Sequence, residues 1–266
     1  MINTTPNDAH LDTTVAAARA GKHVFLDKPI ANTIADARAI TEACRNAGVV
    51  LAIGYQRRRE SQFRWLRGQI DAGVFGRLVN AESNISRDRA GKIDLGSWRY
   101  QASGMPGGVM LQIGIHYTDV LEYLIGPVAA VSARLAQLVL PGDNPDVASL
   151  VLEHENGALS TLNASYASAS ENYVMNIYGK EASAYYDMHQ GLRVLKRGIS
   201  EASPVQCAKN DTFVEELEEF AKAVRGEGRP EMSGEGATAS LAVIRAGIVS
   251  AREGRRVEVA EILSKD

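Results

Sequence analysis

Between Gly107 and Gly126 the chain is apolar at Val109, Met110, Leu111, Ile113, Ile115, Val120, Leu121 and Leu124, and it is interrupted by Gln112, His116, Asp119 and Tyr123. Those four polar residues are spaced by 4, 3 and 4, which puts them on one stripe of a helix that is otherwise apolar nearly all round. Such a helix is buried, and its stripe either satisfies itself internally or lines a polar cavity. Histidine is the side chain best suited to exchange protons near neutral pH, so His116 is a candidate general base. The alternative is a hydrogen-bonded core histidine beside a buried Asp119.

A second candidate is Asp27-Lys28-Pro29, at the end of the short apolar run His23-Val24-Phe25-Leu26. Ligands of open parallel sheets sit beyond the carboxyl ends of the strands. Pro29 keeps Lys28 out of the helical region and permits a cis bond, which fixes the aim of the ammonium. Taken alone, the same pattern describes a solvated lysine in a strand-to-helix loop. Thr5-Pro6-Asn7 with His10 falls at a further strand end if the residues before it form a strand; otherwise it is a plain helix start capped by Asn7 or Asp8. Trp98-Arg99 and Tyr55-Gln56-Arg57-Arg58 are the remaining polar and aromatic clusters.

The elements that must position these groups are legible in outline. Helix over 10–20, strand over 23–26, helix from Thr33 to Gly48 and strand over 49–53 have the rhythm of a doubly wound parallel sheet. After Gly54 the rhythm changes to a helix over 63–72, a strand over 77–85, a polar loop over 87–104 and the striped helix over 107–126. Strands over 147–154 and 158–167 flank the hairpin signal Glu155-Asn156-Gly157, and three more follow over 173–178, 182–188 and 192–196, an antiparallel meander. Thr212-Phe213-Val214-Glu215 reads as a capping box. It opens a helix with the apolar stripe Phe213, Leu217, Phe220, Ala221 and Val224, and the acidic run Glu215, Glu216, Glu218 and Glu219 reads as its solvated face. A last amphipathic helix carries Ala237, Leu241, Ile244 and Ile248.

Composition bounds the classes of function. Of 266 residues, 45% are hydrophobic and 23% charged, an ordinary globular balance that excludes a disordered, collagenous or coiled-coil chain. Lys and Arg number 29 against 32 Asp and Glu, a net charge of −3 that offers no global positive field to nucleic acid or an anionic membrane. Cys44 and Cys207 stand in no metal-ligand spacing, which argues against a zinc site or a disulfide framework and fits a reducing cytoplasm. The N-terminus has no signal-peptide pattern, and the longest apolar stretch carries Glu122, Pro127 and Arg134, so no membrane span is expected.

Together the Thr-Pro-Asn-x-x-His start, Asp27-Lys28-Pro29 in place of a Glu-Lys-Pro motif, Trp98-Arg99, and the run from Gly107 to Asp119 resemble the Gfo/Idh/MocA family of NAD(P)-dependent oxidoreductases, which includes inositol, glucose and dihydrodiol-type dehydrogenases. The resemblance covers nearly the whole chain. It implies an α/β fold: part of a Rossmann-type parallel sheet over residues 1–55, and an α+β substrate-binding, catalytic and oligomerisation domain over 56–266. Its largely antiparallel open sheet would join copies into a dimer or tetramer. The resemblance also implies roles. Lys28 would hydrogen-bond the reacting hydroxyl, and His116 would take its proton as hydride leaves for the nicotinamide, with Gln112 in the catalytic position four residues before it. Tyr55, Arg99, His116 and Asp119 would face the substrate. Thr5, Pro6, Asn7, His10, Asp27, Lys28, Pro29, Gln56, Trp98 and Arg99 would lie along NAD or NADP.

Two departures from the family pattern carry consequences. No Gly-x-Gly-x-x-Gly turn occurs, and the chain opens on a turn cluster with almost nothing before it, as though on the order of two βαβ units were missing. The expectation is then weak NAD(P) binding by this chain. Alternatives are a non-catalytic assembly or ligand-binding module, or an enzyme that cleaves glycosides through transient oxidation. An excess of arginine (Arg57, Arg58, Arg59, Arg87, Arg89, Arg99) points to a carboxylated substrate. The second departure is Gln112, where the family usually has Asp; a neutral amide cannot stabilise an imidazolium by charge, so His116 is expected to be a weaker base. Gln112→Asp should shift the acid limb of the pH–rate profile, and an unchanged profile would show that this position does not tune His116.

Overall fold

The structure is a computed structural model that describes residues 1–89, 92, 94 and 96–265. Strands β1 (Ile2–Asn3), β2 (Val24–Asp27) and β3 (Leu51–Gly54) form a three-stranded parallel sheet in the order β1-β2-β3. Helices α1 (His10–Arg19) and α2 (Ile34–Asn46) are the crossovers. Thr33 starts α2, its hydroxyl accepting from the Asp36 amide at 3.1 Å, and the periodic Ile34, Ala37 and Ile40 are fully buried. Leu51 to Gly54 lies one to two residues later than the sequence pattern suggests, and β2 extends to Asp27. Lys28 and Pro29 therefore leave the sheet at its carboxyl edge.

The chain continues through a 3-10 turn (Gln56–Arg59), α3 (Ser61–Asp71), β4 (Leu78–Asp88) and a second 3-10 turn (Trp98–Tyr100). A π-helical segment (Met110–Gly114) leads into α4 (Ile115–Ile125), followed by β5 (Val128–Ala136), β6 (Val147–His154), β7 (Leu159–Ser165), β8 (Ala167–Gly179), β9 (Ala182–Asp187), β10 (Gly191–Lys196) and β11 (Ser203–Val205). The last elements are α5 (Thr212–Val224), α6 (Gly234–Glu253), β12 (Val257–Glu258) and α7 (Val259–Lys265). Among the described residues, the nine strands after β3 form one sheet in the order β11-β10-β9-β8-β4-β7-β6-β5-β12. Every pairing in it is antiparallel except β4 with β7. Period-2 alternation decides its faces: Ala148, Leu150 and Leu152 of β6 and Leu162 and Ala164 of β7 are buried, while Val151 and Leu159 point outward and stay exposed. Helices α4 and α6 supply the rest of the core, and α6 packs on both α2 and β5, so that it spans the two sheets. The Ile53 amide also donates to the Met232 carbonyl at 3.2 Å.

Four sequence expectations change. The striped helix is not one α-helix: its first part is the π segment. The loop over 87–104 begins later, because β4 runs to Asp88, and it contains the Trp98 turn; Ala90, Gly91, Ile93 and Leu95 of that loop lie outside the described residues. The cap of α5 is Asp211, not Thr212, its carboxylate accepting from the amides of Phe213 and Val214. The apolar positions Phe213, Leu217 and Val224 of α5 are exposed, whereas Glu216 is buried, so the acidic run is not simply a solvated face.

Gly108, just ahead of the π segment, shows why the diglycine is needed. Its φ is +52°, and a Cβ there would lie 2.2 Å from the Pro145 carbonyl oxygen, which accepts from the next amide, Val109, at 3.1 Å. Gly108→Ala is expected to cost about 2–4 kcal/mol, from left-handed strain together with overpacking. An unchanged urea midpoint would contradict this contact.

Candidate active site where the parallel strands meet the buried helix

Asp27 closes β2 and is exposed, its carboxylate accepting from the Lys28 amide at 2.9 Å. The Lys28-Pro29 peptide is cis. The Lys28 ammonium donates to the Gln112 carbonyl at 2.6 Å, which joins the strand-end loop to the π segment. A π turn alters the i→i−4 hydrogen-bond ladder, and such segments are frequent at functional positions. Burial pulls the Lys28 pKa down from 10.5 to about 8, helped by the charges of Arg87, Arg99 and Arg57 and opposed by Asp27.

His116, on the first turn of α4, is 5% exposed, and its Nδ1 has no hydrogen-bond partner among the described residues. Burial holds its pKa well below 6.5, and the charges of Lys28, Arg57 and Arg87 lower it further. The imidazole is therefore neutral at pH 7, able to accept a proton and poor at keeping one. Gln112 is half-buried, and its Oε1 accepts from the buried Tyr166 hydroxyl. Tyr166 carries no motif and stands 54 residues away in the chain, so no local pattern could have pointed to it.

The predicted stripe divides in two. Gln112 and His116 face the Lys28 side. Asp119 is fully buried, its carboxylate gripped by the Arg58 guanidinium, with Nε at 3.0 Å and a second contact from Nη2. The Tyr123 hydroxyl accepts from Arg64 Nη1 at 2.9 Å, and Arg58, Arg59 and Arg64 all reach Glu231. Tyr55 is buried with its hydroxyl unpartnered among the described residues, and burial raises its pKa well above 10, with the nearby Asp119 adding to the shift.

The Thr5 to His10 segment holds the strand-end loops together. The half-buried Thr5 donates to Asn3 Oδ1 at 2.8 Å, Pro6 is exposed, and buried Asn7 donates to Asn32 Oδ1 at 3.1 Å and to Met105 Sδ at 3.4 Å. Asn32 in turn donates to the Gly104 carbonyl at 3.0 Å. Buried His10 sets one ring nitrogen 3.0 Å from the Pro29 carbonyl and the other 2.9 Å from that of Thr5. Pro29 is buried, Gln56 and Trp98 are half-buried, and exposed Arg99 stacks 4.5 Å over the Trp98 ring. Lys28, Gln112 and His116 thus come together at the carboxyl edge of the parallel sheet, where Thr5 and Asn7 also lie. The orphaned His116 Nδ1 and Tyr55 hydroxyl fit the nicotinamide end of a dinucleotide; a glycine-rich turn for its pyrophosphate is not in the sequence. Among the described residues no group of three His, Cys, Asp or Glu could hold a metal ion, and no helix is long and apolar enough to cross a membrane.

Beside this site, Arg59 joins α5 to the turn before α3, pairing with Glu219 at 2.7 Å and standing 3.9 Å from Glu216. Burial raises the Glu216 pKa from 4.5 to about 8, against the pull of Arg59. The folded protein therefore keeps a proton that the unfolded chain loses above pH 4.5. The stability it carries is full below 4.5 and is lost as pH rises through about 8. Glu216→Gln should flatten the fall in unfolding free energy between about pH 5 and 8, measured by urea titration; equal slopes in variant and parent would place the Glu216 proton elsewhere.

Comparison with known proteins follows the same division of the chain. A profile described as an oxidoreductase family with an NAD-binding Rossmann fold matches residues 2–55, and one described as the GFO/IDH/MocA C-terminal domain matches residues 63–185. The 1,5-anhydro-D-fructose reductase of Ensifer adhaerens is 29% identical, over 96% of this chain and 78% of its own. The NAD+-dependent scyllo-inositol 2-dehydrogenase of Bacillus subtilis strain 168 is 27% identical, over 97% of this chain and 77% of its own. An oxidoreductase crystal structure from Desulfitobacterium hafniense superposes with a TM-score of 0.92 at 30% identity, covering 98% of this chain and 80% of that one. With both sheets, the motif residues and both profiles in agreement, the chain belongs to the Gfo/Idh/MocA family of NAD(P)-dependent oxidoreductases.

Proposed function

We propose that the chain transfers a hydride between NAD or NADP and a secondary alcohol of a sugar, cyclitol or related cyclic substrate. The observation that carries this is the hydrogen bond from Lys28 to the Gln112 carbonyl, which sets a half-buried ammonium near an imidazole whose Nδ1 has no partner among the described residues. The names of the reductase and inositol dehydrogenase relatives support the substrate class.

When bound, the nicotinamide supplies the carbon that accepts or returns the hydride. Thr5, Asp27, Gln56, Trp98 and Arg99 would hold it, on loops that Asn7, His10 and Pro29 fix, Tyr55 would bound the substrate, and Asp119, fully buried, would act through its pair with Arg58. The Lys28 ammonium donates to the alcohol oxygen and stabilises the negative charge that develops there. Neutral His116 accepts the hydroxyl proton, and its low pKa favours passing that proton on over storing it. With a pKa of about 8, Lys28 changes protonation close to neutral pH and is the better matched of the two for holding a proton during turnover.

In the same proposal, residues 1–55 belong to an NAD(P)-binding unit and residues 56–266 form the substrate and assembly unit. The outward face of the large sheet, where Val79, Val151 and Leu159 are exposed, is the surface through which copies associate. Two free cysteines, Cys44 and Cys207, suit a cytoplasmic enzyme.

The test is cofactor reduction by the expressed chain with a panel of sugars and cyclitols, run with NAD+ and with NADP+. Turnover is expected with at least one substrate, and Lys28→Ala should lower kcat/KM by about 10²–10⁴-fold. Cofactor binding without turnover of any member of the panel would overturn the assignment.

A further inference from the structure

The arginines near Lys28 are not equivalent. Arg57 is paired with Glu60 at 2.7 Å, Arg58 with Asp119, and Arg59 with Glu219. Arg87 and Arg99 have no carboxylate partner among the described residues. Half-buried Arg87, near the end of β4, donates through Nε to the Tyr173 hydroxyl at 2.8 Å, and that hydroxyl donates on to Glu171 at 3.2 Å. The Tyr173 ring carries Arg57 4.6 Å from its centroid and Arg87 at 5.8 Å, and it lies 6.4 Å from the ring of Tyr117, the residue after His116. Among the described residues, Arg99 is held by its stack on Trp98.

These cations bear on the reacting groups. Arg87 depresses the pKa of both Lys28 and His116, and Arg99 that of Lys28; Asp27 opposes them at Lys28. The helix position that could have offered a carboxylate, Gln112, is neutral and engaged by Tyr166. A half-buried guanidinium with its terminal nitrogens uncommitted is a costly arrangement unless an anion arrives to pair with it, and a planar fork matches an oxyanion in two-point contact.

We propose that the alcohol substrate carries an oxyanion group, a carboxylate or a phosphate on its sugar or cyclitol ring, and that Arg87 and Arg99 hold that group beside Lys28 and His116. The assignment rests on the hydride-transfer reading of this site and narrows its substrate class. Of the arginines whose charge acts on Lys28, Arg57 is occupied with Glu60, which leaves Arg87 and Arg99 to discriminate charged from neutral substrates.

Calorimetric titration of the intact chain, with and without saturating NADH, tests this at fixed ionic strength. The probes are D-glucose, D-glucuronate and D-glucose 6-phosphate, the matching D-galactose set, and acetate and inorganic phosphate as simple ions. At least one anionic sugar should bind about tenfold or more tightly than its neutral parent, a charge-assisted contact's worth. Arg87→Gln and Arg99→Gln should each remove most of that preference, read within each variant as the ratio of anionic-sugar to neutral-sugar affinity. Preference for the uronate or for the sugar phosphate identifies the oxyanion. Equal binding of neutral and anionic sugars, an undiminished preference in both variants, or acetate or phosphate binding as tightly as the sugars would overturn the proposal and leave the oxidoreductase reading standing. Binding of no sugar at all would overturn both.

Discussion

One hydrogen bond ties the two sheets' chemistry together: the Lys28 ammonium on the Gln112 carbonyl. Lys28 is aimed by the end of a parallel strand, and Gln112 belongs to a helix buried under an antiparallel sheet. Neither unit alone holds a donor and an acceptor at that point. The desolvation that draws the Lys28 pKa toward neutrality is a product of their contact, and so is the neutral state of His116. The shared helix α6 packs on both α2 and β5 and so bridges this junction. The loop contacts from Asn7 and Asn32 to Met105 and Gly104 close it from the other side.

Around the junction, charge is sorted by burial. Asp119 and Arg58 neutralise each other in the interior, and Arg59 and Arg64 share Glu231 with them. A pair of this kind contributes little net stability but is costly to break, which makes it suited to fixing the angle between α4 and the turn before α3. On the Lys28 side the balance is cationic, with Asp27 exposed and Glu60 committed to Arg57. The same protein thus has a self-satisfied ionic cluster at Asp119 and an unsatisfied one at His116, less than one turn of α4 apart.

Much of this was legible in the sequence because it is periodic or local. The apolar run ending at Lys28-Pro29, the Thr33 cap, the hairpin at Asn156-Gly157 and the spacing of His116 on its helix all obey rules that act within a few residues. What escaped is non-local or locally ambiguous. Asp119 meets Arg58 across 61 residues and Tyr166 meets Gln112 across 54, and nothing in either neighbourhood marks the partner. Glu216 sits in an acidic run that looks solvated until Arg59 arrives from the other end of the chain. Asp211 and Thr212 are both good caps, and only the backbone path selects between them. The π segment differs from an α-helix by one hydrogen-bond step that no residue type demands.

The parallel pairing of β4 with β7 has a consequence for how the protein reaches this state. β4 is synthesised well before its partners, yet Asn80 pairs with Leu159 and Tyr178, so the middle of the large sheet waits for the close of two long loops. Until then β4 has two bare edges and Arg87 has no Tyr173 to lean on. The Arg87 side of the site is therefore a late product of folding, and β4 is open to wrong pairing along the way.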